Sequence, residues 1–198
     1  MSEPPLHVLL VSGSLRRESI TRTVVLDLAR RLGPLGCATD VLDLSVESLP
    51  LYNPDCAAER ADFPALQARV AKADVLVLGT PDYHGSISSP LKNFLDHFWH
   101  EFAAKLFVPL VASHEKGLTA LDQLRTVARQ CYAWALPYGV SFAEDTDVQG
   151  GRIVSAKLDR RLTMLARDVQ VYGGLLARQR RADLAGREPG FLARLRQD

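Results

Sequence analysis

A run of hydroxyl and arginine side chains follows the first apolar segment of the chain, and its composition suits the binding of a phosphate group. The run reads Ser12-Gly13-Ser14-Leu15-Arg16-Arg17-Glu18-Ser19-Ile20-Thr21 and leads into a segment with helical periodicity. The first N–H groups of a helix lack acceptors within it, and the helix dipole favours negative charge there. The run matches neither Gly-x-Gly-x-x-Gly nor Gly-x4-Gly-Lys-Ser/Thr, so we expect a single terminal phosphate rather than a pyrophosphate. An ordinary capped helix with exposed arginines is the alternative.

A second polar run, Pro81-Asp82-Tyr83-His84-Gly85-Ser86, follows another apolar segment and could contact a flat ligand. Tyr83 and His84 carry rings that can pack on an aromatic system, and Gly85 allows the backbone to approach it closely. Pro81 is expected to end the preceding strand, because proline cannot donate to a sheet ladder. A loop of this kind is by itself more often structural than ligand-binding, so its interpretation depends on what lies beside it.

Alternating apolar and helical segments predict the elements that position these runs. The predicted strands are 6–11, 39–44, 74–79, 105–112 and 138–142, and the predicted helices are 19–32, 63–73, 89–102, 118–134 and 153–178. A long connection is expected over 45–62. Pro109 lies inside the fourth strand, where proline is disfavoured. The alternation predicts an α/β fold with a parallel sheet and helices on both faces.

The order of the predicted strands places both polar runs at one crevice. A doubly wound sheet of five strands commonly has the order 2-1-3-4-5, and its topological switch point lies between the first and third strands. The two polar runs follow those two strands, and ligands bind beyond the carboxyl ends of strands in such sheets. Flavin mononucleotide (FMN) fits both runs, with its phosphate on the first and its ring system against the second.

Length, composition and charge narrow the class of protein. At 198 residues, with 47% hydrophobic and 24% charged residues, the chain suits one globular domain. The net charge of +1 gives no field that would attract nucleic acid or an anionic membrane. The apolar runs are too short to span a bilayer, and the first residues do not resemble a signal peptide. Cys37, Cys56 and Cys131 form no Cys-x-x-Cys pair and are expected to be buried thiols in a reducing compartment. We therefore predict a cytoplasmic protein with no nucleic-acid or membrane partner.

At these residues the sequence resembles the NAD(P)H-dependent FMN reductase family of flavodoxin-like proteins. The resemblance rests on Gly13-Ser14-Leu15-Arg16-x-x-Ser19, on Gly79-Thr80-Pro81-Asp82-Tyr83-His84-Gly85-Ser86 and on Leu91-Lys92-Asn93-Phe94-Leu95-Asp96. It implies a flavodoxin-like, doubly wound sheet of five parallel strands in the order 2-1-3-4-5. It also implies a reductase domain over residues 1–178, followed by an arginine-rich tail over 179–198.

The resemblance further implies which residues contact FMN. They lie at the start of the first helix, in the second polar run and in the loop after the fourth strand: Ser14, Arg16, Ser19, Ile20, Thr21, Pro81, Asp82, Tyr83, His84, Gly85, Ser86, Ser113 and His114. Thr21 stands where the family usually has asparagine, and the loop at 113–117 is less glycine-rich than in the family. Members of the family are dimers or tetramers, which implies a homodimer or homotetramer here.

The implied activity is transfer of hydride from NAD(P)H to FMN and then of electrons to a small acceptor. The acceptor could be a flavin, a quinone, an azo compound or a metal oxyanion, and Arg17 and Arg22 are candidates for the 2′-phosphate of NADPH. No side chain is assigned as a catalytic acid or base, because the cofactor carries the chemistry. The alternatives are a non-catalytic electron carrier of the flavodoxin type, which would usually be strongly acidic, and a flavin-binding redox sensor.

Two further patterns have an ordinary and a functional interpretation. His97, His100 and Glu101 would share one face of the predicted third helix and could hold a metal, although a packed interface is the favoured interpretation. The arginines near the C-terminus are interpreted as a solvated face; they are Arg178, Arg180, Arg181, Arg187, Arg194 and Arg196.

Overall fold

A parallel sheet forms the centre of the computed structural model, which describes residues 4–56 and 63–195. Strands β1 (His7–Ser12), β2 (Ala38–Asp43), β3 (Val75–Tyr83) and β5 (Leu106–Ala112) lie side by side in the order β2-β1-β3-β5. β1, β3 and β5 are almost continuously apolar and buried, as expected for strands that helices cover on both faces. The predicted α/β architecture with a parallel sheet is confirmed.

Beyond β5 the sheet continues as two short strands instead of one. β6 (Trp134–Ala135) and β7 (Val140–Phe142) each pair in parallel with β5. The predicted sheet of five strands in the order 2-1-3-4-5 was therefore wrong in this detail, and residue 134 is in a strand rather than a helix. The carbonyls of Lys105 and Phe107 accept hydrogen bonds from this side. Pro109 has the same orientation along β5, so its missing N–H group faces the gap between β6 and β7.

The helices of the described residues cover both faces of the sheet. One face carries α1 (Ile20–Leu32) and α5 (Ala156–Ala185), and the other carries α2 (Phe63–Lys72), α3 (Ser89–Asp96) and α4 (Leu118–Gln130). Successive residues of β3 alternate between the two cores, as the pleat of a strand requires. Val77 packs with α1 and α5, whereas Leu78 packs with α2, α3 and α4.

β3 extends further than predicted and ends in a hairpin. The strand continues through Pro81 to Tyr83, and a tight turn at 84–85 leads into the antiparallel strand β4 (Ser86–Ile87). The predicted end at Gly79 was wrong. Pro81 lacks an N–H group on the side that faces β1, and no hydrogen bond of the sheet is lost there. β1 has already ended at that level, since the last bond on that side joins the N–H of Gly13 to the carbonyl of Gly79.

The third helix is shorter than predicted. α3 ends at Asp96, and a separate 3-10 helix covers His100–Phe102. The φ and ψ of Trp99, −141° and −68°, lie outside the helical region and separate the two segments. The single helical face predicted to hold His97, His100 and Glu101 therefore does not exist.

The final helix is longer than predicted and the chain then returns to the body of the protein. A short hairpin of β8 (Val148–Gln149) and β9 (Arg152–Ile153) precedes α5, which runs to Ala185 instead of residue 178. The guanidinium of Arg180 donates to the carbonyl of Ala103 at 3.1 Å, and that of Arg194 lies 4.3 Å from the centre of the Tyr132 ring. The interpretation of Arg180 as part of a solvated face was wrong, whereas Arg194 is exposed as expected although it also contacts the Tyr132 ring.

Other predictions concern the cysteines and two segments that lie partly outside the described residues. Cys37 and Cys131 are buried as expected, whereas Cys56 is exposed, and all three are free thiols. Part of the predicted connection at 45–62 and Arg196 lie outside the described residues. In the ranges 4–56 and 63–195, no helix has both the length and the apolar character needed to cross a membrane.

Candidate functional site

The carboxyl ends of β1, β3, β5 and β7 meet at one edge of the sheet, where a cavity of about 230 Å³ opens. Its lining comes from four separate segments at the ends of these strands and the start of α1: Ser14, Arg16, Ser19, Ile20, Thr21, Pro81, Asp82, Tyr83, Ala112, Ser113, His114, Ala143 and Glu144. The structure therefore brings together the first polar run, the start of the second and the loop after β5. His84, Gly85 and Ser86 form the adjacent turn and β4 and do not line this cavity.

The two polar runs are held together by backbone contacts at Gly13. The N–H group of Gly13 donates to the carbonyl of Gly79 at 2.8 Å, and the hydroxyl of Ser88 donates to the carbonyl of Gly13 at 2.7 Å. A Cβ atom at residue 13 would lie only 2.7 Å from the Cβ of Leu91. Glycine is therefore required here, and it lets the first run pass directly against the start of α3.

The start of α1 presents donors that suit a phosphate group. Ser19 is the N-cap residue, and its hydroxyl accepts a hydrogen bond from the N–H group of Arg22 at 3.1 Å. The helix itself offers no acceptor for the N–H groups of Ile20 and Thr21. The side chains of Ser14 and Thr21 are buried beside them. The cap at Ser19 is the one predicted from the sequence, and the helix dipole adds positive potential at this helix start.

Arg16 has a partner that the sequence did not indicate. Its guanidinium donates to the carboxylate of Glu144 at 2.6 Å, across the mouth of the cavity. This hydrogen bond raises the pKa of Arg16, so the guanidinium stays charged. Glu144 lies in the loop after β7, 128 residues away along the chain, and no local pattern marks it. The contact uses only Nη1, so the guanidinium keeps further N–H donors for an incoming phosphate.

Arg22, a sequence candidate for contact with the 2′-phosphate of NADPH, is already engaged. Its guanidinium pairs with the carboxylate of Asp43 at 2.5 Å and also donates to the hydroxyl of Ser45. Burial raises the pKa of Asp43, but the hydrogen bonds from Ser45 and the ion pair with Arg22 outweigh it and lower the pKa overall. The cluster braces the end of β2 against α1, which leaves Arg22 poorly placed as a free anion receptor.

Two buried polar atoms near the cavity lack a hydrogen-bond partner, and one of them belongs to Asp82, which lines the cavity. Among the described residues, the buried side-chain atoms without a hydrogen-bond partner are Ser12 Oγ and Asp82 Oδ1, at the carboxyl ends of β1 and β3. The second oxygen of Asp82 accepts a hydrogen bond from the hydroxyl of Ser113 at 3.0 Å. Unsatisfied buried polar atoms are rare in native proteins. The position of Asp82 Oδ1 in the lining of the cavity indicates a ligand with a polar group of its own.

The hairpin beside the cavity is fixed by a residue of α4 that sequence reasoning missed. The side-chain oxygen of Gln123 accepts hydrogen bonds from the Ser86 hydroxyl at 3.1 Å and from the Ile87 N–H group at 2.9 Å. The turn between the strands places His84 and Gly85 at positive φ, 57° and 75°. Gln123 thereby sets the position of Tyr83, whose side chain remains 54% exposed beside the cavity.

The arrangement fits FMN. Phosphate donors lie at the start of α1, unsatisfied polar atoms lie at the ends of β1 and β3, and an exposed aromatic ring stands next to them. The donor set matches a phosphate at one end, and the Tyr83 side offers a surface for a flat ring system.

Comparison with known proteins agrees with this geometry. The chain matches the family model of NADPH-dependent FMN reductases over residues 6–147. It is 31% identical to the NADPH azoreductase of Bacillus sp. (strain OY1-2) over 156 residues, which is 75% of this chain and 82% of that protein. It is also 31% identical to the NADH-dependent FMN reductase SfnE of Pseudomonas putida over 178 residues, 85% of this chain and 94% of that protein.

Among solved structures, the flavoenzyme FerB of Paracoccus denitrificans, an NAD(P)H:(acceptor) oxidoreductase, has the same fold. The TM-score is 0.70 at 18% identity, and the match covers 85% of this chain and 97% of that one. The fold, the crevice and the family match over most of the chain lead to one conclusion: the protein belongs to the NADPH-dependent FMN reductase family.

Proposed function

We propose that the protein is an FMN-dependent NAD(P)H oxidoreductase that passes electrons to a small acceptor such as a flavin, a quinone, an azo compound or a metal oxyanion. The observation that carries this proposal is the crevice between β1 and β3, which combines phosphate donors with an unsatisfied carboxylate oxygen of Asp82 and an exposed ring. When bound there, FMN would supply a hydride acceptor and a reversible store of electrons. Membership of the FMN reductase family supports the same activity.

The residues of the crevice bind and orient in this proposal, and none of them transfers a proton. The N–H groups of Ile20 and Thr21 hold the phosphate, and the hydroxyl of Ser14 adds a further donor. The guanidinium of Arg16 donates to the phosphate and supplies positive charge beside it. At the other end, Tyr83 and the turn at 84–86 contact the flavin ring, while Ser113 and His114 approach it from the loop after β5.

We further propose that the protein works in the cytoplasm as a homodimer or homotetramer. The rings of Trp99, Tyr132 and Trp134 are large apolar groups left about half exposed on the monomer. Aromatic residues are enriched at protein interfaces, which supports contact with a second copy. Sedimentation equilibrium of the purified protein tests the oligomeric state, and a monomer at micromolar concentration would contradict it.

Anaerobic mixing of the FMN-loaded protein with NADPH, and separately with NADH, tests the activity. Fast and saturable bleaching of the flavin absorbance is expected, followed by reoxidation when a quinone is added. Bound flavin that neither nucleotide bleaches would favour an electron carrier or a redox sensor instead. Failure to bind FMN would refute the assignment of the crevice.

Tyr83→Ala provides a matched test of the ring end of the crevice. The exposed ring contributes little to the folded core, so we expect normal thermal stability and slower reduction of the flavin. Tyr172→Ala, which removes a similarly exposed ring on α5, is the control. Equal reduction rates in the two variants would remove Tyr83 from the site.

A further inference from the structure

A second cavity of about 370 Å³ adjoins the crevice, and most of its lining takes no part in the FMN binding described above. It lies beyond the carboxyl ends of β5 and β7 and shares Ser113, His114 and Ala143 with the first cavity. Its volume falls within the range of about 300–1,000 Å³ that is usual for small-molecule pockets. Because the two cavities share these three residues, a molecule in the second cavity would lie next to the part of the crevice that is proposed to hold the flavin ring.

The charged side chains around the second cavity are mainly cationic. Lys116, Lys157 and Arg161 line it, against the single carboxylate of Asp147. That carboxylate already accepts a hydrogen bond from the N–H group of Ala143 at 3.0 Å. In the described part of the chain, neither lysine forms an ion pair with a carboxylate. The cavity therefore has an excess of positive charge that the protein does not itself neutralise.

Backbone conformation and backbone contacts position Lys116 and Arg161 at this cavity. Lys116 has a φ of +65°, a left-handed conformation that is uncommon for a residue with a side chain. The next residue, Gly117, is also left-handed, and a Cβ there would lie 2.5 Å from Val111 Cγ1. The turn is thus packed tightly against β5 and holds Lys116 at the rim. The guanidinium of Arg161 is also held in place, because it donates to the carbonyl of Gly139 at 2.8 Å.

We propose that this second cavity binds the anionic group of a substrate whose reacting part lies at the flavin crevice. The proposal rests on the proposed reductase function, since it assigns the cavity to a substrate of that reaction. Ammonium and guanidinium groups recognise phosphate, sulfonate and carboxylate oxygens alike. The anion can therefore belong to the nucleotide, as its phosphates, or to the electron acceptor, as an acidic substituent. A neutral acceptor gains nothing from the cavity.

The double variant Lys116→Gln/Lys157→Gln tests this site, because it removes two charges that make no ion pair within the described chain. Arg161 is left in place, since its guanidinium also supports the backbone at Gly139. The control is Lys72→Gln/Arg30→Gln, which removes the same charge at the C-terminal ends of α2 and α1. Those ends lie at the opposite edge of the sheet from the crevice.

Steady-state kinetics of the FMN-loaded protein separates the two sources of the anion. With NADH as donor, the acceptors are 1,4-naphthoquinone-2-sulfonate and the neutral 1,4-naphthoquinone; with the neutral quinone as acceptor, the donors are NADPH and NADH. We expect the KM of at least one anionic substrate to rise about fivefold or more, while the KM of the neutral quinone and kcat are unchanged. A rise in the KM of the sulfonate identifies the acceptor as the source of the anion. A rise in the KM of NADPH identifies the nucleotide as that source. If the KM of NADH also rises, the group bound in the cavity is the diphosphate that the two nucleotides share.

Calorimetric titration with NADP⁺ and with naphthalene-2-sulfonate measures the same contacts without turnover. Weaker binding of either ligand to the lysine double variant than to the control variant supports the site. Equal binding of both ligands to the two variants, together with equal KM values, overturns it. If the unaltered protein fails to reduce its flavin with either nucleotide, the proposed function fails, and the titrations still decide whether the cavity binds anions.

Discussion

Replacement of Lys105 by methionine is expected to change how the stability of the protein depends on pH. The Lys105 side chain is fully buried just before β5, and its ammonium donates to the carbonyls of Val70 and Ala71, at 2.5 and 2.8 Å. These carbonyls belong to the last turn of α2. Burial, with a further contribution from the positive charge of Arg180, lowers the pKa of Lys105 from 10.5 to about 7.

The size of the effect follows from the difference in pKa between the folded and unfolded states. In the unfolded chain the lysine titrates near its usual value of about 10.4. Between about pH 7 and pH 10 the unfolded state therefore binds more protons, so the free energy of unfolding rises with pH. The slope approaches about 1.4 kcal/mol per pH unit, which amounts to roughly 3 kcal/mol between pH 6.5 and pH 9.5. Methionine has no proton to release, so Lys105→Met lacks this contribution.

Urea unfolding at a series of pH values measures this pH-dependent contribution of Lys105 to the free energy of unfolding. The unfolding free energy of the wild type minus that of Lys105→Met should increase by about 3 kcal/mol from pH 6.5 to pH 9.5. This subtraction cancels other groups, such as Tyr138, whose pKa is raised by burial and by its hydrogen bond to Asp168. Lys92→Met, which removes an exposed ammonium, should follow the wild-type curve. A difference that stays constant to within about 0.5 kcal/mol would refute the reasoning, because Lys105 would then keep its proton in the folded state.

Three further predictions concern the candidate site. Gly13→Ala should destabilise the fold by about 1–3 kcal/mol through overpacking, whereas Gly33→Ala, which meets nothing within 4 Å, should be nearly neutral in thermal unfolding. Gln123→Leu should weaken FMN binding about threefold or more in a fluorescence titration by releasing the hairpin, and unchanged affinity would contradict that role. Arg16→Ala should weaken FMN binding about tenfold. Arg30→Ala serves as the control, and equal affinities would remove Arg16 from the phosphate site.

Much of the crevice could be predicted because its signals are local. The apolar run of β1, the capping position of Ser19 and the periodicity of α1 are each visible within a few residues of sequence. The switch-point rule then places two loops together without any knowledge of side-chain contacts. The contacts between Glu144 and Arg16, and between Gln123 and Ser86, join residues 128 and 37 positions apart and leave no such signal.

The error in the third helix has a physical cause. Phe94, Phe98 and Phe102 recur at helical spacing and are all buried, with ring centres 5.3 Å apart for the first pair and 5.8 Å for the second. The chain nevertheless leaves the helix after Asp96 and re-forms a single turn at His100–Phe102. Apolar periodicity thus predicted which side chains are buried, but two separate segments meet the same requirement as one helix.

Pro81 and Pro109 both lack an N–H group at positions where no neighbouring strand lies opposite. For Pro109 this has a consequence for how β7 can align with β5. In a parallel sheet, alternate residues of a strand bond to opposite neighbours. If β7 slid two residues along β5 towards β6, one of its carbonyls would face the Pro109 ring and find no donor. Pro109 therefore disfavours that shift of the edge strand. It also disfavours a continuous β6–β7 strand, and a long straight edge of that kind is one on which another chain could add a strand and begin aggregation.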